Sequence, residues 1–157
     1  MDSSEINKLI KDKEYLGTFP RDLLPSLSKK KFGLIINTDP STKPGQHWVA
    51  VFKDANEVQY FDSYGLPPLH CDIIDFLDSH GQWNYNRITL QSFTSKVCGH
   101  YCVVYLWCRF EGWQHCDFMN LFKCNRKRND IVVKEIVQNG RPLLQWYYNL
   151  GSNMWCD

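Results

Sequence analysis

A cysteine followed by a glycine, Cys98-Gly99, stands where a polar stretch of the chain gives way to an apolar one. Polar residues dominate 91–96, and the run 103–107 is apolar. This pattern predicts a thiol in the first turn of a buried helix, where backbone N–H groups and the positive end of the helix dipole lower the pKa of a thiol. Because Gly99 has no side chain, we expect the sulfur to be open to a large substrate. The chemistry predicted is nucleophilic attack by a thiolate.

Such a thiolate needs a base, and His47 is the best placed of the five histidines. It begins an alternating stretch at a predicted strand end and is followed by the aromatic Trp48. His100 lies two residues after Cys98, so on a helix it points roughly to the opposite side. The others flank a predicted helix or follow a polar turn, namely His70, His80 and His115. Taken alone, a His-Trp pair at a strand edge is equally compatible with packing.

An imidazolium stabilises a thiolate, and a carboxylate on its other ring nitrogen fixes the imidazole and supports its charge. Asp62 ends the strand predicted over 58–62. Hairpin pairing of that strand with the one predicted over 47–53 brings Asp62 beside His47. The alternative role of Asp62 is to cap the turn over 63–65.

An acyl-transfer site also needs a donor for the oxyanion that forms during attack. Gln91 lies seven residues before Cys98 and offers a neutral amide on the approach to the nucleophile. Together with the backbone N–H of Cys98, this amide is the predicted donor pair. A glutamine at a strand end means little by itself, but His47, Asp62, Gln91 and Cys98 each stand in the local context that their roles require.

The elements that must position these residues follow from hydrophobic period and turn residues. We predict a short helix that is capped by Ser3 or Ser4 and ends near Lys13, followed by an ordered apolar loop over 16–20. We further predict strands over 32–37, 47–53, 58–62 and 87–91, and helices over 69–79, 98–110, 117–123, 130–138 and 142–149. The helix over 98–110 is apolar nearly all round, which predicts a central buried helix. Strands followed by segregated helices indicate an α+β fold.

With 157 residues, the chain is long enough to bury a core as a single domain, 1–157. The net charge of +1 provides no global field for nucleic acid, although 29–31 and 123–128 are basic patches. No apolar run approaches the roughly 20 residues of a membrane span, and no apolar signal segment opens the chain. We therefore expect no membrane association.

Seven cysteines, an odd number, predict a reduced intracellular protein. Apart from Cys98, we expect the cysteines to be small buried apolar residues: Cys71, Cys102, Cys108, Cys116, Cys124 and Cys156. Zinc is the alternative use for the cluster Cys98, Cys102, Cys108, His115 and Cys116. Because this cluster has no two-residue cysteine spacing and apolar residues lie between its members, we expect no metal.

At the four candidate residues the chain resembles the adenovirus endopeptidase family (adenain) and, more distantly, the proteases of ubiquitin-like modifiers. The matching pieces are His47-Trp48, the segment 60–65, Gln91 seven residues before the nucleophile, and Val97-Cys98-Gly99, with 16–19 and 36–38 typical of the adenovirus subgroup. The resemblance covers about residues 15–110.

The resemblance implies a thiol protease of the papain-like clan, with a mixed, mainly antiparallel sheet packed on a central nucleophile helix and a helical C-terminal part. Cys98 attacks, His47 shuttles the proton, Asp62 orients His47, and Gln91 with the Cys98 N–H holds the oxyanion. The implied substrates are viral precursor proteins cleaved at sites that contain glycine, as in viral maturation. Trp48 packs on the His47 ring in this reading, and the supporting cleft residues are Trp48, Tyr64, Trp83 and Gly99.

The resemblance also sets expectations for partners and location. The family's peptide cofactor is attached through a cysteine at a position where this chain has Arg87, so we expect no covalent cofactor. A noncovalent peptide, or DNA held by the basic patches, remains open as an activator. We expect a monomer of viral or mobile-element origin, located inside the host cell, in its nucleus or in the virion.

Other functions stay open on the sequence alone. The same cleft suits removal of a ubiquitin-like modifier with a Gly-Gly terminus. An inactive peptide-binding derivative is disfavoured because all four candidate side chains are present. A zinc- or DNA-binding module is the remaining alternative.

Overall fold

A five-stranded sheet lies between helices on its two faces. The structure is a computed structural model that describes residues 1–153. The strands are β1 (Tyr15–Pro20), β2 (Phe32–Asn37), β3 (Trp48–Lys53), β4 (Val58–Phe61) and β5 (Trp83–Tyr85). The helices are α1 (Ser3–Leu9), α2 (Cys71–Asp78), α3 (Cys98–Phe110), α4 (His115–Asn120), α5 (Arg126–Asn139) and α6 (Arg141–Asn153). This architecture confirms the α+β class.

The strands lie in the order in which they occur along the chain. β2, β3 and β4 pair antiparallel, whereas β1 pairs parallel with β2 and β5 pairs parallel with β4. The prediction of a mixed sheet is confirmed, with the three central strands antiparallel and an edge strand pairing parallel on each side. The β4–β5 pair is parallel because α2 crosses over between the two strands.

The hairpin of β3 and β4 has the predicted antiparallel register, with Ala50 opposite Phe61 and Lys53 opposite Val58. Asp54 closes its turn, because the Asp54 carboxylate accepts from the backbone N–H of Asn56 at 2.8 Å. A short turn with an Asx bond fixes the register, so the open end of the hairpin is fixed as well.

The interiors of the central strands are mostly apolar because both faces of the sheet are covered, although Gln59 of β4 is a buried polar residue. On β3, Ala50 and Phe52 pack in the cluster that includes α3, while Val49 and Val51 pack in the cluster that includes Ile73 of α2. The strands β2, β3 and β4 therefore each contribute residues to two separate cores.

The helix α3 has the predicted bounds and is buried from Cys98 to Arg109, apart from the half-buried His100. It packs against β3 on one side and against α1, α4 and α5 on the others. Arg109 is buried as well, because its guanidinium pairs with Glu57 and lies 4.4 Å from the centre of the Phe52 ring. These contacts confirm the prediction of a central buried helix.

Two segments differ from their predicted structure. Residues 16–20, predicted as a loop, belong to β1, because pairing with β2 overrides the glycine and proline signals. Pro20 ends this edge strand, where a missing N–H is tolerated. Residues 87–91, predicted as the fourth strand, are irregular, and β5 lies earlier at 83–85.

Several helix ends also differ from their predicted positions. Asp2, rather than Ser3 or Ser4, caps α1 in a reciprocal pair with Glu5, and the helix ends at Leu9 rather than near Lys13. Asn125 caps α5 by accepting from the backbone N–H of Arg128 at 3.1 Å, so α5 begins four residues earlier than predicted. The other shifts concern α2 (71–78 instead of 69–79), α4 (115–120 instead of 117–123) and α6 (141–153 instead of 142–149).

The cysteines divide into two groups. Cys98, Cys102 and Cys108 are buried in α3, whereas Cys71, Cys116 and Cys124 are exposed, so the prediction that these three are buried is wrong. The predicted burial of Cys156 concerns a position outside the described residues. None of the helices formed by residues 1–153 is both long enough and apolar enough to cross a membrane.

The close approach of α3 to the sheet depends on Gly33. A Cβ atom at Gly33 would lie 2.7 Å from Cζ of Phe110 and 3.0 Å from Cδ2 of Leu106. We therefore expect Gly33→Val to lower the free energy of unfolding by about 1–3 kcal/mol, as overpacking does. Urea unfolding measures this loss, with Asn84→Val at an exposed strand position as the control. Equal stability of the two variants would contradict the proposed helix–sheet contact.

Candidate active site

His47 and Asp62 lie at the open end of the β3–β4 hairpin, one just before β3 and the other just after β4. The His47 Nε2 and Asp62 Oδ1 atoms are 2.9 Å apart. Only 3% of Asp62 is exposed. The hairpin thus brings together the two residues that the sequence places on its neighbouring strands.

The thiol of Cys98 contacts the same imidazole from the first residue of α3. Its side chain hydrogen-bonds His47, and the backbone N–H groups of Trp48 and Gly99 donate to the sulfur. Because Asp62 occupies Nε2, the ring nitrogen available to Cys98 is Nδ1. The structure therefore places a carboxylate, an imidazole and a thiol in one continuous chain of contacts.

Burial and hydrogen bonding act in opposite directions on the pKa values of this pair. Burial lowers the pKa of His47, but hydrogen bonds and charge from Asp62 and Cys98 outweigh it and raise the pKa to about 9. Burial raises the pKa of the Cys98 thiol, but the hydrogen bond to His47 and its charge bring the pKa below the ordinary value. The arrangement therefore favours a thiolate beside an imidazolium.

Asp62 also has the alternative role considered for it, because its Oδ1 accepts from the backbone N–H of Tyr64 at 2.8 Å. Asn86 holds Asp62 from the other side. Its Oδ1 accepts from the Asp62 N–H at 2.8 Å, and its Nδ2 donates to the Asp62 carbonyl at 2.5 Å. Sequence reasoning missed Asn86, because an asparagine after a short strand carries no pattern that separates it from a turn residue.

Gln91 is fully buried and all of its amide atoms are hydrogen-bonded. Its Oε1 accepts from Ser63 Oγ at 2.7 Å, and its Nε2 donates to the carbonyl of Ser95 at 3.0 Å and to Tyr64 Oη at 3.2 Å. Its backbone N–H donates to the carbonyl of Ser63 at 3.1 Å. The structure thus joins Gln91 to the segment that carries Asp62.

Two buried residues of α5 hold the segment on either side of Gln91. The Asp130 carboxylate accepts from the Tyr101 hydroxyl at 3.0 Å and from the backbone N–H of Ser92 at 3.3 Å. Asn129 Nδ2 donates to the Leu90 carbonyl at 3.2 Å. Sequence reasoning missed both residues, because they follow a basic run that is typical of a solvated helix start.

The aromatic residues are arranged differently from the prediction. Tyr64 stacks on the His47 ring, with centroids 5.1 Å apart and planes 27° apart. Trp48 instead donates from Nε1 to the Met1 carbonyl at 3.1 Å and lies against Gly99. Trp83, predicted as a cleft wall, packs in the cluster on the face of the sheet opposite α3, so that prediction is wrong.

Gly99 is buried under neighbouring side chains. A Cβ atom there would lie 3.3 Å from Trp48 Cδ1 and 3.4 Å from Ile6 Cδ1. Cys98 itself is only 7% exposed. The glycine allows Trp48 and α1 to approach α3, whereas its predicted role of opening the sulfur to a large substrate stays a prediction.

The basic patches at 29–31 and 123–128 are exposed. The guanidinium of Arg126 lies 5.0 Å from the centre of the Phe93 ring, which links the second patch to the neighbourhood of Tyr64. Within residues 1–153, no three His, Cys, Asp or Glu side chains are grouped as a metal site would need.

Comparison with known proteins gives partial matches. No protein-family model matches the chain. Over 41 residues, the chain is 49% identical to a cysteine protease S273R from a Malawi tick isolate of African swine fever virus. It is 46% identical over 41 residues to the SUMO-1 cysteine protease S273R of a South African tick isolate. Each match covers 24% of this chain and 15% of the relative.

A solved structure covers more of the chain. The crystal structure of selenomethionine-labelled pS273R protease of the same virus superposes with a TM-score of 0.49 at 24% identity. The superposition covers 66% of this chain and 43% of that chain. These relatives come from a virus other than the adenoviruses that the sequence resemblance suggested.

The coupled His47–Cys98 pair predicts an unusual pH dependence. Because the pKa of the thiol is lowered and that of His47 is raised to about 9, Cys98 should react with iodoacetamide at mildly acidic pH. In His47→Ala the imidazolium is lost, so the midpoint of the rate–pH curve should move to higher pH. Mass spectrometry of the Cys98 peptide measures the rate, with His70→Ala as the control. An unchanged midpoint in His47→Ala would rule out the coupling.

The hydrogen bonds between Asn86 and the backbone of Asp62 lead to a second prediction. Asn86→Ala leaves the buried N–H of Asp62 without its partner, while the Asp62 carbonyl keeps the N–H of Gly65. The unsatisfied N–H should cost about 1–3 kcal/mol in the free energy of unfolding. It should also slow alkylation of Cys98 at acidic pH, because Asp62 no longer fixes His47. Asn84→Ala, two residues away and exposed, is the control in urea unfolding and alkylation. If alkylation is unaffected, Asn86 only stabilises the fold.

Proposed function

We propose that this protein is a cysteine endopeptidase and that Cys98 is its nucleophile. The observation that carries the proposal is the chain of contacts from Asp62 through His47 to Cys98, at the start of a buried helix. A thiol, a base and a residue that orients the base are what nucleophilic acyl transfer requires. The segment shared with the S273R cysteine proteases supports the same function.

In the proposed reaction, the Cys98 thiolate attacks the carbonyl carbon of the scissile peptide bond. The oxyanion of the tetrahedral intermediate forms beside the backbone N–H of Cys98, and His47 donates the proton from Nδ1 to the leaving amine. Water then attacks the thioester while His47 takes up its proton. The C–S bond breaks, the acyl part leaves as a carboxylic acid, and the Cys98 thiolate is regenerated beside the imidazolium. Asp62 keeps Nε2 of the imidazole occupied, so Nδ1 stays directed at the sulfur.

We also propose the domain type, location and activator that the resemblance implies. We take the chain as one protease domain of the papain-like clan, of the adenovirus type, that acts as a monomer in viral maturation. Its location is the host nucleus or the virion. A noncovalent peptide or DNA on the basic patches remains the proposed kind of activator, since exposed lysines and arginines at 123–128 are suited to phosphates.

For the substrate we propose precursor proteins with glycine at the cleavage site. Trp48 and Tyr64 both contact the residues that carry the chemistry. The backbone N–H of Trp48 donates to the Cys98 sulfur, and the ring of Tyr64 stacks on His47. Cys98 is only 7% exposed, which supports a narrow approach to the sulfur. A peptide without a Cβ atom passes such an approach with the least steric cost.

A second candidate function is removal of a ubiquitin-like modifier. The observation that favours it is that one relative is described as a SUMO-1 cysteine protease. A modifier that ends in Gly-Gly meets the same steric requirement. An inactive peptide-binding derivative is less well supported, because the thiol, the imidazole and the carboxylate are in contact.

Replacement of the nucleophile tests the proposed function. Cys98→Ala should abolish cleavage, because no covalent intermediate can form, and should leave the fold intact. Cys71→Ala, which removes an exposed thiol, is the control. The assay compares Gly-containing precursor peptides with a SUMO-1 conjugate, each with and without DNA.

The pattern of cleavage separates the candidates. Cleavage of precursor peptides supports the endopeptidase, and cleavage of the conjugate alone supports the modifier protease. Cleavage by Cys98→Ala at the wild-type rate would refute the assignment of the nucleophile. If the wild type cleaves none of the substrates although Cys98 is reactive at acidic pH, the inactive derivative becomes the better description.

A further inference from the structure

A row of stacked groups leads from the imidazole of His47 to the surface of the molecule. The ring of Tyr64 stacks on His47 with centroids 5.1 Å apart, and the ring of Phe93 stacks on Tyr64 with centroids 5.9 Å apart. The guanidinium of Arg126 lies 5.0 Å from the centre of the Phe93 ring. Phe93 is 70% exposed, which is unusual for a large apolar side chain. The row therefore joins the candidate active site to the start of α5.

An open groove of about 770 Å³ lies beside this row. Thr89, which lines the groove, donates from Oγ1 to the carbonyl of Tyr64 at 2.8 Å, and Arg126 lines the groove as well. The apolar side chains in its lining are Ile88, Leu90, Met119 and Phe122. Because the groove shares Arg126 with the row and adjoins Tyr64, the two features form one continuous surface.

The first turn of α5 places three exposed cations at this surface, namely Arg126, Lys127 and Arg128. None of the three forms a salt bridge within residues 1–150. The arginines that form salt bridges in that part of the chain are Arg21, Arg109 and Arg141. Adjacent cations repel one another, and the positive end of the helix dipole disfavours them further. An acidic partner would relieve both costs, so the surface is complementary to negative charge.

We propose that the surface formed by Phe93, Arg126, Lys127 and Arg128, with the groove beside it, binds the substrate segment that follows the scissile bond. We call it the aromatic–basic surface. The segment it fits carries acidic side chains next to an apolar one, which enters the groove. The inference rests on the proposed peptidase function and names the substrate class for the same site.

The proposed chemistry decides which part of the substrate lies there. His47 gives its proton to the leaving amine, so the segment after the scissile bond begins at the imidazole. The row of stacked groups begins at the same imidazole and advances in steps of 5.0–5.9 Å. An extended peptide, at roughly 3.3 Å per residue, reaches Arg126 within about five residues. The acidic side chains therefore belong to the first few residues after the cleaved bond.

A polypeptide suits this surface better than a nucleic acid does. The apolar groove takes an apolar side chain, which the phosphates of a DNA duplex do not offer. Three cations contact only a few phosphates, whereas salt-dependent DNA binding commonly uses about six or more contacts. DNA is therefore the competing ligand that the experiment includes.

Binding of short peptides tests the proposal without a need for cleavage. The probe Gly-Ser-Glu-Leu-Glu-Glu has a free N-terminus and a fluorophore at its C-terminus, and a matched probe carries Gln in place of each Glu. Fluorescence anisotropy measures the affinity of the full chain for both probes at low and high salt. The variants are Arg126→Gln and Phe93→Ala, and Lys30→Gln in the other basic patch controls for the loss of one charge. Alkylation of Cys98 by iodoacetamide, read by mass spectrometry, reports whether the bound probe covers the active site.

We expect the acidic probe to bind about tenfold more tightly than its Gln counterpart, because several exposed charge pairs each contribute a little. The difference should shrink at high salt, which screens these pairs. Arg126→Gln should weaken only the acidic probe, by about threefold. Phe93→Ala should weaken both probes, because the ring both contacts the peptide and holds Arg126. Lys30→Gln should change neither affinity, and the bound acidic probe should slow alkylation of Cys98.

Several results would overturn the inference. Equal affinity for the two probes, or no binding of either, rules out an acidic preference. If Lys30→Gln costs as much as Arg126→Gln, the probe responds to net charge alone. Binding that leaves alkylation of Cys98 unchanged puts the acidic partner outside the path of the substrate. A DNA duplex that binds more tightly than the acidic probe, and that depends on Arg126, makes the surface a nucleic-acid site.

Failure of the proposed function gives a different result. In that case Cys98 of the wild type, without any probe, alkylates no faster than the exposed Cys71 at acidic pH.

Discussion

The packing of α3 against β3 is the contact on which the whole site depends. Because the helix is buried on nearly every side, its axial position is fixed by the sheet and by α1 and α5. Its first residue, Cys98, then lies where β3 begins, next to the backbone N–H of Trp48 and the ring of His47. A displacement of the helix by a small fraction of a turn would separate the thiol from the imidazole. The large apolar core therefore sets the distance between the Cys98 sulfur and the His47 imidazole.

Burial is also what makes the site reactive. In a region of low dielectric, the attraction between the thiolate and the imidazolium is much stronger than in water, but each charge needs hydrogen bonds to exist there at all. The structure supplies these hydrogen bonds through a series of residues, each of which holds the next. Asp62 bonds His47, Asn86 bonds the backbone of Asp62, and the segment around Gln91 is bonded to Ser63. The surrounding apolar core fixes the positions of the side chains in this polar network.

The sequence predicted the parts of the fold that depend on local pattern. The bounds of β2 and α3 and the hairpin of β3 and β4 follow from apolar runs and a turn. By contrast, β1 was missed because its glycine and proline suit a loop, and only pairing with β2 makes them a strand. The adjacency of His47 and Asp62, however, could be predicted, because both residues lie at the open end of the hairpin. The contacts of Asn86, Asn129 and Asp130 could not, because they join segments whose separation along the chain gives no pattern.

The bonds from α5 to the segment beside Gln91 have a consequence for the order in which the molecule matures. Every residue of the proposed chemistry has been added to the chain once Cys98 is synthesised, yet Asn129 and Asp130 come some thirty residues later. Until α5 has docked, the N–H of Ser92 lacks its carboxylate partner and the carbonyl of Leu90 lacks the Asn129 amide, so the segment on either side of Gln91 is held by fewer bonds. The reactive groups of the proposed site are therefore synthesised before the helix that completes the bonding around them, and the site takes its final arrangement only when α5 packs.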